Sequence, residues 1–151
     1  MSRFRLTIDN EGIASQIADL INSGKQIWYY LTSYSILVSP IEFLIELDRD
    51  KVIGVIGLEQ KTDKVTELKY LCVHPDYRQQ GIGRDMLELG IKAAKTEYVC
   101  GAVRSDNHVN IRNNLRVGMR PIGKHRGRRC HIIIFARRRE DVEYPIYQRG
   151  P

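Results

Sequence analysis

The stretch Leu71-Cys72-Val73-His74-Pro75-Asp76-Tyr77-Arg78-Gln79-Gln80-Gly81-Ile82-Gly83-Arg84 limits what this chain can fold into more than any other. It reads as a strand, a proline stop, a basic glycine-rich turn and a helix. Leu68, Tyr70 and Cys72 alternate with Glu67, Lys69, Leu71 and Val73, which is the period of a strand. Pro75 lacks the N–H that a ladder needs and ends it. After the glycines, Ile82, Met86, Leu87, Ile91 and Ala94 recur at helical spacing. A helix that opens on glycine leaves its first backbone N–H groups unpaired and pointing outward. Those donors, the helix dipole and the close approach that glycine allows make an anion site.

The full pattern V-x-P-x-x-R-x-x-G-I-G runs without a gap through Val73, Pro75, Arg78, Gly81, Ile82 and Gly83. It resembles the acetyl-CoA pyrophosphate loop of the GNAT family of N-acetyltransferases. The resemblance implies an α/β fold with a mixed, mostly antiparallel central sheet, splayed strands and flanking helices. In that family the strand before the loop splays from its neighbour, and the pantetheine arm lies in the gap. By this resemblance acetyl-CoA is the acetyl donor, and no metal is implied. The coenzyme-binding positions carried over are Leu71, Cys72, Val73, Arg78, Gln79, Gln80, Gly81, Ile82, Gly83, Arg84 and Asn107.

At 151 residues the chain is expected to form one domain, over 1–139, with a peripheral tail at 140–151. No apolar run reaches membrane-spanning length, and the alternating Met1-Ser2-Arg3-Phe4-Arg5-Leu6 lacks a signal-peptide core. Cys72, Cys100 and Cys130 have no metal-like or redox-motif spacing. Three thiols without a secretion signal point to a reduced, cytoplasmic protein. The net charge of +6 is uneven, because residues 107–139 hold ten Lys or Arg and no Asp or Glu. Such a region suits an acidic partner or a nucleic acid; it equally describes a solvated, arginine-rich hairpin.

In chain order, residues 3–8 alternate as a first strand. Asp9 or Asn10 caps a helix striped by Ile13, Ile17, Leu20 and Ile21 and stopped at Gly24. Trp28, Tyr29, Tyr30 and Tyr34 follow as an aromatic cluster. The resemblance places Trp28, Tyr29 and Tyr30 beside the acceptor site; as residues alone they serve a core or a dimer contact as well. Residues 41–47 and 52–59 form a hairpin around Asp48-Arg49-Asp50, and strand 65–73 leads into the loop. Helix 81–96, a strand at 99–103, a short helix to about Val117, and strands at 119–124 and 130–138 complete the order.

Amide formation from a thioester needs a polarised carbonyl, a deprotonated amine and a stabilised leaving thiolate. A backbone N–H at Cys72 or Val73 suits the first. Glu67, six residues before Val73, is expected on the same strand face, as the catalytic base; Lys69 is its alternative, merely ionic, partner. Family members commonly carry N-x-x-A-x-x-x-Y-x-x-x-G-F after the next strand, with the Tyr facing the sulfur. Aligning Gly118-Met119 with the final pair puts Asn107 at the Asn, Asn110 at the Ala and Asn114 at the Tyr. Asn107 and Asn114 are therefore the catalytic candidates from this segment, although an amide donates a hydrogen bond and no net proton. Solvent, His108 or Tyr70 would then protonate the thiolate. Cys72 reads as a buried strand cysteine, since no His–acid pair accompanies it.

Two functions follow. One is acetyl transfer to a primary amine: a small amine, a protein lysine or N-terminus, or a nucleic-acid-linked amine. The other is a nucleic-acid-binding or regulatory module on the same fold, using Arg112, Arg116, Arg120, Arg126, Arg128, Arg129 and Arg137 to Arg139 on phosphates. A homodimer paired through the C-terminal strands is compatible with either.

Overall fold

The computed structural model of the chain describes residues 2, 3, 10–24, 27 and 29–139. Its elements are β1 (Ser2–Arg3), α1 (Glu11–Ser23), α2 (Ser33–Leu37), β2 (Glu42–Asp48), β3 (Lys51–Gln60), β4 (Val65–Val73), α3 (Ile82–Ala93), β5 (Tyr98–Arg104), α4 (His108–Arg116), β6 (Arg120–Arg126) and β7 (His131–Arg138). Of the expected first strand, Ser2 and Arg3 pair with Ile45 and Leu44, while residues 4–9, Trp28 and the tail 140–151 lie outside the described residues.

The strands form one sheet in the order β1-β2-β3-β4-β5-β7-β6. Every neighbouring pair is antiparallel except β4 and β5. That parallel ladder joins Val65–Leu68 to Tyr98–Gly101 and stops, although β4 continues to Val73 and β5 to Arg104. A wedge therefore opens between the two strands at their C-terminal ends. This is the mixed α/β arrangement with splayed strands that the sequence predicts.

Helices cover both faces. Ile17, Ile21 and Ile36 from α1 and α2 pack with Phe43, Ile45, Val55 and Cys72. On the other face, Met86, Leu87 and Ile91 from α3 pack with Leu44, Ile56, Leu68, Val99 and Phe135. β3 is buried continuously from Val52 to Leu58, as a central strand covered on both faces must be. Each fully buried Ile, Leu or Val side chain contributes roughly 1.5–3 kcal/mol.

β4 breaks the expected alternation. It pairs Leu68 with Leu58 and Lys69 with Gly57, then Cys72 with Val55, so it carries one residue more than β3. Tyr70 takes up the excess at φ 58°, a left-handed conformation that is rare for an aromatic residue. The faces exchange at this bulge. Leu68 and Leu71 both pack toward α3, whereas Tyr70 and Cys72 pack toward α1. Lys69 Nζ lies 5.0 Å over the Tyr70 ring, which puts those adjacent residues on one side. Glu67 therefore does not share a face with Val73, as unbroken alternation predicts. It shares the face of Tyr70 and Cys72.

The position of α3 depends on a glycine. A β-carbon on Gly54 would stand 2.6 Å from Met86 Sδ, so α3 settles directly onto bare β3 backbone there. Gly54→Val is expected to cost about 1–3 kcal/mol through overpacking. A lower midpoint in urea unfolding, with an unchanged slope, is the measurement that checks it.

Candidate active site

The loop between β4 and α3 is built by local hydrogen bonds. His74 N donates to Ile53 O at 2.7 Å and ties the start of the loop to β3. Pro75–Tyr77 make a short 3-10 turn, whose Asp76 N donates to His74 Nδ1 at 3.2 Å. The Tyr77 hydroxyl donates to the Asp48 carboxylate and pins the turn to the β2–β3 hairpin. Gln79 at φ 63° and Gly81 at φ 83° then reverse the chain. Nothing crowds the site of a Gly81 β-carbon, so here the backbone conformation, and not space, calls for glycine. Gly81 offers no side-chain cap to α3, and its carbonyl accepts from Asp85 N at 3.0 Å. The N–H groups of Ile82, Gly83 and Arg84 are left without intrahelical acceptors.

α4 closes the opposite wall. Asn107 Oδ1 accepts from Asn110 N at 3.2 Å and starts the helix. Val109, Arg112, Asn113 and Arg116 follow at helical spacing and line one cavity with the loop. A β-carbon on Gly83 would meet Asn113 Nδ2 at 3.2 Å, so the two helices meet closely at this point.

The cavity between these walls measures about 690 Å³. Of the predicted coenzyme positions, Leu71, Cys72, Val73, Arg78, Gln79, Gly81, Ile82, Gly83, Arg84 and Asn107 line it, and Gln80 does not. Among the described residues four arginines line it, Arg78, Arg84, Arg112 and Arg116, and no Asp or Glu does. Arg78 Nε donates to Val73 O at 3.1 Å and so braces the strand end against the loop.

A second cavity of about 220 Å³ occupies the wedge on the α1 side, lined by Ile21, Ile27, Tyr29, Glu67, Tyr70, Arg104 and Ile132, among others. The two cavities share Leu71, Cys72, Asn107 and Asn110. They meet where β4 leaves β5 and α4 begins.

Glu67 stands directly across from Glu59 in the β3–β4 pairing. Two facing carboxylates repel, and two lysines offset them. Lys61 Nζ lies 3.0 Å from Glu59 and 3.4 Å from Glu67; Lys69 Nζ lies 3.2 Å and 3.9 Å from the same pair. The hydrogen bond from Lys61 is the chief reason that the Glu59 carboxyl is held below its ordinary range. Tyr70 shares a hydroxyl–hydroxyl bond with Tyr29, and burial, followed by that bond, pushes its phenol well above the ordinary value. Tyr70 therefore keeps its proton at neutral pH. Cys72 is 9% exposed and its Sγ lies 3.3 Å from Leu20 O. Burial raises its thiol, against a smaller opposing effect of Arg78, which favours the protonated form of a core cysteine.

Asn114 does not face either cavity. It is 2% exposed, and its Nδ2 donates to Asn110 O at 2.8 Å and Asn110 Oδ1 at 2.9 Å. A backbone carbonyl only accepts, so Asn114 must present its NH2 there, and Asn110 must answer with its oxygen. The NH2 of Asn110 is thereby turned away from Asn114, at the junction of the cavities. Tyr30 is 75% exposed and lines neither cavity; neither does His108.

A model of the acetyltransferase (GNAT) family matches residues 15–119. The chain belongs to the GNAT family. Solved structures share the fold at low sequence identity. One is yncA of Salmonella typhimurium with its cofactor acetyl-CoA, at 16% identity and TM-score 0.73, covering 91% of this chain and 92% of that one. A second is the ribosomal-protein-S18-alanine N-acetyltransferase of Escherichia coli, at 18% and 0.71 with the same coverage. A third is an aminoglycoside 6′-N-acetyltransferase complexed with coenzyme A, at 16% and 0.72, covering 92% and 97%.

Asn110, Arg112, Asn113 and Arg116 also line the larger cavity, beyond the coenzyme positions that the resemblance carried over. The signal was present in the sequence, since 109, 112, 113 and 116 follow the Asn107 cap at helical spacing. Native Cys72 is expected to resist alkylation at pH 7 and to label rapidly once the chain is unfolded; peptide mapping by mass spectrometry distinguishes it from Cys100 and Cys130.

Proposed function

We propose that this GNAT chain transfers an acetyl group from acetyl-CoA directly to a primary amine, with donor and acceptor bound together. The observation that carries this reading is the junction at Leu71, Cys72, Asn107 and Asn110 between a cavity whose charged described lining is all arginine and a smaller one that carries both signs of charge. Acetyl-CoA supplies an acetyl thioester that is already activated toward an amine. The protein's part is to bind, orient and handle protons.

The free N–H groups of Ile82, Gly83 and Arg84 hold the pyrophosphate, with Arg78 and Arg84 adding charge. The β5-facing edge of β4 beyond Leu68 has no strand partner among the described residues and accommodates the amide-bearing pantetheine arm. A backbone N–H at Cys72 or Val73 polarises the acyl carbonyl. Glu67, on the acceptor-side wall with Tyr29 and Tyr70, takes the ammonium proton through water. Asn110, with its NH2 aimed by Asn114, donates to the departing sulfur, and solvent supplies the net proton. Tyr70, whose phenol is raised, is a hydrogen-bond donor that gives up no proton. Tyr29 and Trp28 are assigned to the acceptor.

The acceptor is a primary amine of open identity, since the structural relatives act on a ribosomal protein and on aminoglycosides. The nucleic-acid module is the weaker reading, because the arginines of 107–139 do not form one free face. Arg120 donates to Leu115 O and Met119 O, Arg137 to Val117 O, and Arg139 to Thr96 O. Arg138 pairs with Glu97.

Acetyl-CoA and CoA at about 100 times their dissociation constants should each stabilise the protein by roughly 2.7 kcal/mol, with ATP giving little. Absence of any shift in thermal unfolding at millimolar acetyl-CoA would sink the proposal. Glu67→Gln is expected to lower kcat by roughly 100-fold or more, at unchanged acetyl-CoA affinity. Asn110→Asp, which replaces the donor with a carboxylate, is expected to lower kcat by about 100-fold. Steady-state kinetics with a screened amine acceptor measures both, and unchanged kcat in either variant removes that residue from the mechanism.

A further inference from the structure

The end of β3 carries a carboxylate to which the mechanism above gives no part. Glu59 stands directly across from Glu67 in the β3–β4 ladder, where like charges facing one another destabilise the pair. Two lysines reach into the gap, Lys61 from the turn after β3 and Lys69 from β4, and each lies nearer to Glu59. Lys61 Nζ is 3.0 Å from Glu59 and 3.4 Å from Glu67; Lys69 Nζ is 3.2 Å and 3.9 Å from them. Lys69 donates a hydrogen bond to Glu59, and the hydrogen bond to Glu59 is the chief reason that the Lys61 ammonium is held above its ordinary range. Glu67 and Lys69 line the smaller cavity, whereas Glu59 and Lys61 line neither cavity.

Other polar groups around Glu67 are already engaged. Tyr29 and Tyr70 bond each other, and Asp106 holds Arg104 through bonds of 3.0 and 2.8 Å. Cys100, the partner of Glu67 on β5, is a thiol that burial raises. The two lysines are therefore the charges that govern Glu67. Shared between two carboxylates they balance; with Glu59 neutral, both would turn to Glu67. A carboxylate clasped by two ammonium groups is a weaker base, and the surplus positive charge repels an incoming ammonium. We propose that Glu59 is a positioning residue, which draws Lys61 and Lys69 off Glu67 and so leaves Glu67 able to take the proton of the acceptor ammonium. The proton passes through water to Glu67, and Glu59 neither gains nor loses one. The inference rests on the proposed role of Glu67 as base and names the second carboxylate on which that role depends.

The test is steady-state kinetics with acetyl-CoA and a screened amine acceptor, on Glu59→Gln, Glu59→Gln/Lys61→Gln, Glu67→Gln and Glu59→Gln/Glu67→Gln, with thermal unfolding as a check on the fold. Glu59→Gln should lower kcat by roughly 5–10-fold and raise KM for the amine, with KM for acetyl-CoA unchanged. Adding Lys61→Gln restores one lysine to one carboxylate and should bring kcat back to within about twofold of the wild type. In the Glu67→Gln background, Glu59→Gln should have no further effect on kcat. A merely structural role for Glu59 would not be rescued by the loss of a second charged side chain. Unchanged kcat in Glu59→Gln, a loss that persists in the Lys61 double variant, or a further loss in the Glu67→Gln background overturns the assignment and leaves Glu67 as base. Unchanged kcat in Glu67→Gln itself overturns the base and the positioning residue together.

Discussion

The parallel ladder between β4 and β5 stops after Leu68 and Gly101, and the rest of the site depends on that stop. A continuous ladder would seal the wedge and leave no backbone edge facing a ligand. Two features hold the wedge open. β4 stays paired to β3 on its other side, so it cannot follow β5. The extra residue at Tyr70 turns the strand out of regular register at the point where the wedge begins. The positive φ of Tyr70 is an unfavourable conformation, tolerated because its ring stacks 6.4 Å from Phe43 and its hydroxyl is held by Tyr29.

Charge is then divided by the two walls. The larger cavity takes its side chains from the loop and one face of α4, which bring only arginine and neutral groups. The smaller one takes Glu67 and Lys69 from β4, embedded in a four-member cluster with Glu59 and Lys61. One end of the passage therefore attracts anions, and the other presents both signs of charge. A polyphosphate ligand is oriented by this difference before any hydrogen bond to its reactive end forms.

The same arginine-rich segment also does structural work. The last carbonyls of α4 lack the partners that a continuing helix would give them. Arg120 and Arg137, reaching from β6 and β7, supply donors to Leu115 and Val117 at that end, where the helix dipole favours cations. The hairpin thus fastens α4 in the position that presents Arg112, Asn113 and Arg116 to the loop. Local charge along the chain did not reveal this division of labour, because it depends on which strand faces which helix end.

The sequence by itself determined the loop, the family and the order of elements apart from α2, which the aromatic segment hid. Pro75, Gly81 and Gly83 act through local backbone rules that hold wherever the segment lies, and helix and strand periods are likewise local. It determined the packing role of Cys72 as well, from the absence of any partner pattern. The tertiary structure alone decided the face of Glu67, since one bulged residue at Tyr70 reverses every side chain beyond it. It alone decided that Asn114 is buried and that Asn110, in the slot of an alanine, faces the junction. Both hinge on how α4 docks between the loop and the last two strands. Such docking is settled by contacts between residues far apart in the chain, which no local period encodes.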